Sequence, residues 1–336
     1  MILFLLYYKL VNFVLSKERF ILELYNQYSK YLVEKYGEKV YKLSINLPLT
    51  CPNRDGVCGT GGCTFCDEGG AGYERNESVL SVKSQLSDLR ERIKKKYNAH
   101  KFIAYFQNYS NTYMPMEYFK KYIKDAIDQD IVQIAISTRP DCVTYEHLDY
   151  LLYIKNTYKI DISIELGLQT VNYHTLKQVH RGHTLAEYID CVLMIKQYPF
   201  EICTHMILNL PWDNISDSIE SAKILSSLKT HQVKLHSLFI VQNTIMENQF
   251  LSGEFELVSM EEYIKRVIAF LEHLDPSITV QRLIGRAPAD VSANCNWNTS
   301  WWKIKESIER EMEVRNTFQG RLFNYLGGSG FKAKYK

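Results

Sequence analysis

Short apolar runs of strand length alternate with amphipathic helical stretches through most of this chain, and that alternation restricts the fold more than any other feature. Residues 43–47 place Leu43, Ile45 and Leu47 against Ser44 and Asn46, a period of two. Further strand candidates are FIAYF (102–106), IVQIAIS (131–137), IDISIEL (160–166), EICTHMIL (201–208) and VKLHSLFIV (233–241). Between them the period changes to that of a helix. One apolar face carries Tyr118, Phe119, Tyr122, Ile123, Ala126 and Ile127, and another carries Leu185, Tyr188, Ile189, Val192 and Leu193. Six strands, each followed by a helix, predict parallel βα units with right-handed crossovers, in an α/β sheet that stays open or curls into a barrel. Either form puts the functional loops at the carboxyl ends of the strands. After about residue 250 the alternation lapses. A helix near 260–273, a strand near 278–284 and a helix near 301–316 then form a C-terminal extension. The chain divides into an N-terminal helical segment (1–39), a barrel (40–250) and the extension (251–336).

With 46% hydrophobic and 23% charged residues, the 336-residue chain has ordinary globular composition, and its net charge of +2 excludes a protein that coats nucleic acid by charge alone. The apolar run at Met1–Leu15 is interrupted by Lys9 and falls short of the ~20 residues that span a bilayer. It lacks the basic start and small-residue cleavage site of a signal peptide, so it is expected to pack as a helix on the body of the protein. No stable membrane span and a cytoplasmic location are expected.

Four of the eight cysteines crowd into TCPNRDGVCGTGGCTFCDEGG (50–70), directly after the first strand. Eleven residues separate Cys51 from Cys63, and two separate Cys63 from Cys66. Clustered cysteines in a chain without a secretory signal point to metal and a reducing compartment. Three thiolates on one loop can ligate three irons of a [4Fe-4S] cubane and leave the fourth iron open to the amino and carboxylate groups of S-adenosylmethionine (SAM). Counting Cys58, four thiolates could instead close a tetrahedral zinc site, although only Cys63 and Cys66 form the close pair such sites favour.

The stretch KLSINLPLTCPNRDG…GTGGCTFC closely resembles radical SAM proteins of the YhcC/YtqA type, relatives of the elongator catalytic subunit, the MiaB methylthiotransferase and coproporphyrinogen dehydrogenase. The likeness extends over QNYSNTY (107–113), STRPD (137–141), ELGLQT (165–170), HRGHT (180–184), HMILNLP (205–211), QRLIGRAP (281–288) and FQG (318–320). It implies a partial (β/α)6 TIM-like barrel with Cys51, Cys63 and Cys66 on the cluster and SAM across the strand ends. By position, Phe65 corresponds to the aromatic residue beside the adenine. Glu165, Gln169 and Arg181 match the residues that hold the methionine end and ribose of SAM. Gln107 and Asn108 stand where relatives carry a glycine-glycine-glutamate motif, a departure from the family pattern. Ser137 and Arg139 end the third strand, and His205 occupies a position near the ribose hydroxyls. Asn209 and Trp212 replace glycines, and their bulk is expected to crowd the adenine.

The resemblance implies an electron from a flavodoxin- or ferredoxin-type donor, reductive cleavage of SAM, and a 5′-deoxyadenosyl radical that abstracts hydrogen from an inert C–H bond. The implied substrate is tRNA, through remodelling of the carbon-5 substituent of a wobble uridine from carboxymethylaminomethyl to aminomethyl. Basic residues at Arg90, Arg92, Lys94, Lys95, Lys96, Arg315, Arg321, Lys332, Lys334 and Lys336 could meet phosphates or simply be solvated. Trp297, Trp301 and Trp302 could stack a base or pack the extension onto the barrel. Two alternatives stand beside this reading: a radical SAM enzyme acting on a small metabolite or protein, and a non-catalytic, zinc-stabilised binding module.

Overall fold

The computed structural model describes residues 23–67, 80–285, 292–294 and 296–324, together with Gly328 and Lys334. The N-terminal apolar run, Cys295, Lys332 and Lys336 lie outside these residues. Seven parallel strands form one curled sheet in the spatial order β1 (Val40–Ile45), β2 (Lys101–Phe106), β3 (Ile131–Thr138), β4 (Asp161–Gln169), β5 (Glu201–Ile207), β6 (Gln232–His236) and β8 (Thr279–Arg282). A two-residue strand β7 (Ile240–Val241) pairs antiparallel with β9 (Ser292–Asn294). The strand predicted near 278–284 in the C-terminal extension is β8, hydrogen-bonded beside β6 as the seventh strand of the main sheet.

The period of two assigns each strand's two faces. Outward residues such as Leu43, Ile45, Ile134, Ile136, Ile162, Ile164, Leu166, Ile202, Val233 and Leu235 are buried in one large apolar core. The helices over that core are α1 (Tyr28–Tyr36), α2 (Val82–Tyr97), α3 (Met116–Asp125), α4 (Tyr145–Tyr158), α5 (Tyr173–Gln178), α6 (Leu185–Ile195), α7 (Ile215–Ser227), α8 (Ile245–Leu251), α9 (Met260–His273) and α10 (Trp301–Val314). Of these, α1 and α8 are exceptions in placement: Leu32 of α1 packs against Ile103, Tyr105 and Ala135, and Met246 of α8 packs with Val179, Ile207 and Leu238, each in a separate cluster. The stripe that α6 buries is Tyr188, Cys191, Val192 and Ile195, whereas Leu193 is exposed. Each fully buried aliphatic or aromatic side chain contributes roughly 1.5–3 kcal/mol to this packing.

Helix α1 and the residues before it contact both β1 and β8, the two edges of the sheet. Asn26 O accepts from Val280 N at 2.8 Å. Gln319 fastens this closure: its Oε1 accepts from Asn26 N at 2.9 Å, and its Nε2 donates to the carbonyls of Asp275 and Ile278, each at 2.8 Å. A side chain at Gly320 (φ +82°) would meet the Pro276 ring at 2.9 Å. The FQG sequence is thus a clasp that joins the segment before α1 and the segment after α10 to the sheet. Among the described residues no helix is long and apolar enough to cross a membrane.

Candidate active site

The loop after β1 must fold back over the strand ends, and its glycines make that possible: Gly56, Gly61 and Gly62 all have positive φ. Asn53 then anchors it. Its Nδ2 donates to the His180 carbonyl and lies 3.5 Å from Cys63 Sγ. Arg54 donates to the carbonyls of Cys66 and Asp67, and Thr64 N donates to Val179 O at 3.0 Å. These bonds bring Cys51, Cys63 and Cys66 to the wall of one cavity of about 960 Å³ at the strand ends. Cys58 is exposed and does not line it. Burial and the neighbouring Cys63 push the Cys66 thiol up to about 12, so ligation there must displace a proton.

The spacing of the thiols bears on what they can hold. Tetrahedral zinc, with Zn–S of about 2.3 Å, draws its sulfurs to about 3.8 Å from one another. Among the described residues, only Glu165, Cys203 and His205 bring three potential ligand atoms within 4.8 Å of each other. The three loop thiols thus do not all lie within 4.8 Å of one another, a wider setting than a single tetrahedral ion draws its ligands to. The Glu165 trio is itself unsuited to a cation, because two lysines already occupy the carboxylate.

Strand β4 ends in a bulge between Gly167 and Gln169, and Gln169 adopts a φ of +78°. Arg181 uses that bulge: its Nε and Nη2 donate to the Gly167 carbonyl at 3.2 and 2.6 Å, while Nη1 lies 3.4 Å from Cys63 Sγ. A Cβ at position 167 would meet Arg181 Nη2 at 2.7 Å, so a side chain there would push the guanidinium off its present seat. Phe65, Gln107, Ser137, Arg139, Gln169, Arg181 and His205 all line the cavity with the three cysteines. Gln107 Oε1 is buried there without a hydrogen-bond partner. A buried, unsatisfied acceptor costs free energy unless a ligand's donor satisfies it, and the ammonium of SAM is such a donor. Arg139 is less free, since Asp141 takes its Nε and Nη2 at 2.9 and 2.6 Å.

Three sequence-selected residues stand elsewhere. Asn108 closes a buried pair with the Leu47 backbone, its Oδ1 accepting at 2.9 Å and its Nδ2 donating at 2.8 Å. Asn209 accepts from Leu238 N at 2.6 Å, and Trp212 packs edge-on against Phe255 at 5.4 Å. Neither Asn209 nor Trp212 lines the cavity, although Trp212 packs in the same apolar cluster as Phe65. Glu165 is not at the end of β4 but in its middle, wholly buried, and accepts from Lys42, Lys234 (3.1 Å) and His205 (2.8 Å). Burial opposes its ionisation, but Lys234, Lys42 and His205 outweigh that and hold the carboxyl well below the ordinary range. Burial and Lys234 in turn push the His205 imidazole down to about 4, so it stays neutral.

The inner face of the sheet holds a group of polar and charged side chains that sequence reasoning did not select: Lys42, Tyr105, Lys234, His236 and Arg282 all line the cavity. Lys234 Nζ donates to Tyr105 Oη at 3.0 Å, and burial lowers the ammonium to about 8. A lysine in a central strand that is otherwise apolar, as in VKLH, is the signal that could have found it.

Residues 51–225 match the family model described as the Radical SAM superfamily, and residues 230–314 match the Radical_SAM C-terminal domain. The chain is 32% identical to the uncharacterized protein YtqA of Bacillus subtilis over 304 residues, covering 90% of this chain and 94% of that one. It is 22% identical to the tRNA uridine(34) acetyltransferase of Methanocaldococcus jannaschii, but over only 50% of this chain and 31% of the relative. Among solved structures, the archaeal Methanocaldococcus infernus Elp3 with an N-terminal deletion superposes with a TM-score of 0.65 at 17% identity, over 83% of this chain and 64% of that one. That likeness shows a shared fold. With the sheet, the three-thiol loop and the family match in agreement, the chain belongs to the radical SAM superfamily, whose cofactors are a [4Fe-4S] cluster and SAM.

Proposed function

We propose that this radical SAM enzyme modifies tRNA, remodelling the carbon-5 substituent of a wobble uridine from carboxymethylaminomethyl to aminomethyl. One observation carries the reading: a single cavity joins the three thiols to a wall lined by Lys42, Arg139, Arg181, Lys234 and Arg282, whose two lysines share one carboxylate, Glu165. Such a wall suits an anionic substrate. The distant relative named a tRNA uridine(34) acetyltransferase supports the choice of a wobble uridine.

In this reading Cys51, Cys63 and Cys66 hold the cluster, and Gln107 Oε1 accepts from the SAM ammonium. Phe65 lies against the adenine, backed by the cluster of Val179, Ile207 and Leu238. Once bound, the cofactors supply a 5′-deoxyadenosyl radical after one-electron reduction by a flavodoxin- or ferredoxin-type donor. The residues around them orient the substrate and exclude water, and Lys234, with a pKa near working pH, can hold or release a proton at Nζ. A reducing, cytoplasmic setting suits the exposed Cys58 and the free thiols.

The outer surface gives the second reading its support. Arg90 pairs with Asp128 and Asp130, Lys94 with Asp130, Arg315 with Glu311 and Arg321 with Glu272. Trp297 donates to Val258 O at 2.8 Å and packs on Tyr263. With these groups engaged internally, a small metabolite or a protein is the alternative substrate. Comparing tRNA nucleosides from cells with and without the gene decides the matter: aminomethyl-type wobble uridines are expected to fall and carboxymethylaminomethyl forms to accumulate. An unchanged profile would remove tRNA as the substrate.

A further inference from the structure

The cationic side chains of the cavity are not equally satisfied. Lys42 and Lys234 share Glu165, Arg139 has Asp141, Lys305 has Glu309, and Arg181 rests on the Gly167 carbonyl. Arg282, at the end of β8, has no acidic partner among the described residues. Its Nη2 donates to the His236 ring at 2.7 Å, and its Nε, shielded from solvent, donates to nothing. His236 cannot supply the missing charge, because burial and the nearby guanidinium hold its imidazole neutral, well below the usual histidine range. His205, 5.3 Å from His236 between ring centres, is likewise neutral.

A guanidinium taken out of water without a counter-ion is costly, and the cost is recovered when an anion arrives. The surroundings favour that arrival. Lys42, Lys234 and Arg282 face a single carboxylate, Glu165, so this part of the barrel carries a surplus of positive charge. We infer that Arg282, oriented by His236 and with Lys234 beside it, is the subsite for a carboxylate on the substrate. The carboxylate accepts from the unpartnered Nε–H, and the Lys234 ammonium adds field strength. One guanidinium with one donor already committed to His236 matches a monoanionic carboxylate better than a phosphate dianion, which calls for several converging donors. The inference rests on the reading of this cavity as the reaction chamber, and it specifies how the terminal carboxylate of a carboxymethylaminomethyl group is recognised.

The test is a binding measurement on the full-length chain, reconstituted with its cluster under nitrogen and saturated with SAM so that the SAM-carboxylate position is filled. Saturation-transfer NMR is recorded with N-methylglycine, with methylamine and with inorganic phosphate. N-methylglycine is expected to bind and methylamine to give no signal. Arg282→Gln is expected to abolish N-methylglycine binding. Arg282→Lys keeps the charge, and with it the fold, but loses the Nε–H donor; a charge-assisted bond of about 1.5–3 kcal/mol predicts a weakening of tenfold or more. Wild-type protein that ignores N-methylglycine, tighter binding of phosphate, or equal binding by Arg282→Lys overturns the assignment. The two readings also fail separately. If N-methylglycine binds while the cellular nucleosides are unchanged, the subsite stands and the wobble-uridine reading falls; the converse pair of results removes only the subsite.

Discussion

The mouth and the floor of the same cavity are built by opposite means. At the mouth, the cysteine loop and the HRGHT turn are held by side chains that donate to main-chain carbonyls: Asn53 to His180, Arg54 to Cys66 and Asp67, and Arg181 to Gly167. On the floor, Lys42 and Lys234 hold Glu165 by charge, away from water, and the neutral His205 donates a hydrogen bond to it. Arg54 and Arg181 keep their full charge while donating to neutral carbonyls, so the mouth sets uncompensated positive charge beside the thiols, with Arg181 Nη1 3.4 Å from Cys63 Sγ. The floor's charges are intrinsic, and their imbalance is what a ligand can feel.

The largest effect should follow from a change at the mouth. Cys63→Ala is expected to remove nearly all cluster iron from anaerobically reconstituted protein, with loss of the absorbance near about 400 nm typical of iron–sulfur proteins. Cys58→Ser is expected to retain both, because that thiol is exposed outside the cavity. Equal iron loss in the two variants would break the three-thiol assignment and return the loop to a four-ligand site.

The floor is next. Glu165→Gln leaves Lys42 and Lys234 facing each other with no counter-charge, and removing one partner of a buried ion network costs about 3–5 kcal/mol. Urea unfolding at neutral pH measures the loss. A change of under about 1 kcal/mol would mean that water, rather than Glu165, already balances the lysines.

How far this division was legible in the sequence follows from the same contrast. The seven strands of the main sheet, α9 and α10 were readable, because apolar periodicity reports the outward face that the helices cover, but the single run read at 233–241 breaks into β6 and the separately paired β7. The mouth was readable as motifs, since cysteine spacing and glycines speak of chemistry and backbone conformation directly. Within those motifs, however, linear position did not separate Gln107, which faces the cavity, from Asn108, which closes a backbone pair one residue later. The floor was hidden for a different reason. Lys42, Glu165, Lys234 and Arg282 come from four strands, and only the closure of the sheet shows that they share one interior. Glu165 in particular was read as a cofactor contact because a lone strand carboxylate gives no sign that two lysines already hold it.

A titration sharpens the comparison at intermediate scale. Asp213, in the loop after β5, is a buried carboxylate with no lysine on it: Thr175 Oγ1 donates to it at 2.5 Å, and burial raises it to about 6. A carboxyl raised above its unfolded value of about 3.9 favours the folded state while protonated, and that contribution is lost as pH rises through about 6. The difference of about two units corresponds to at most about 3 kcal/mol. Asp213→Asn should therefore flatten the decline in stability between about pH 4 and 6 and leave the protein more stable at pH 7. Glu165, held below the ordinary carboxylate range, titrates with the opposite sign and loses stability only at lower pH. An unchanged slope in Asp213→Asn would show that this carboxylate is not the group being titrated.

The smallest effect tests how tightly the mouth is coupled to the body. Thr184 and Glu187 form a reciprocal cap on α6, and Thr144 and His147 form one on α4. Replacing either threonine by alanine removes a helix N-cap and should cost about 1 kcal/mol. The two positions differ in what they end. Thr184 closes the turn that carries Arg181 and His183, whose ring contacts the same Gly167 carbonyl at 3.0 Å, whereas Thr144 precedes a helix on the outer layer. Thr184→Ala is therefore expected to weaken SAM binding several-fold in equilibrium dialysis, and Thr144→Ala to leave it unchanged at the same loss of stability. If both variants bind SAM like the wild type, the hydrogen bonds from Arg181 and His183 to Gly167 suffice to hold the turn. The mouth would then be fixed from the strand side alone.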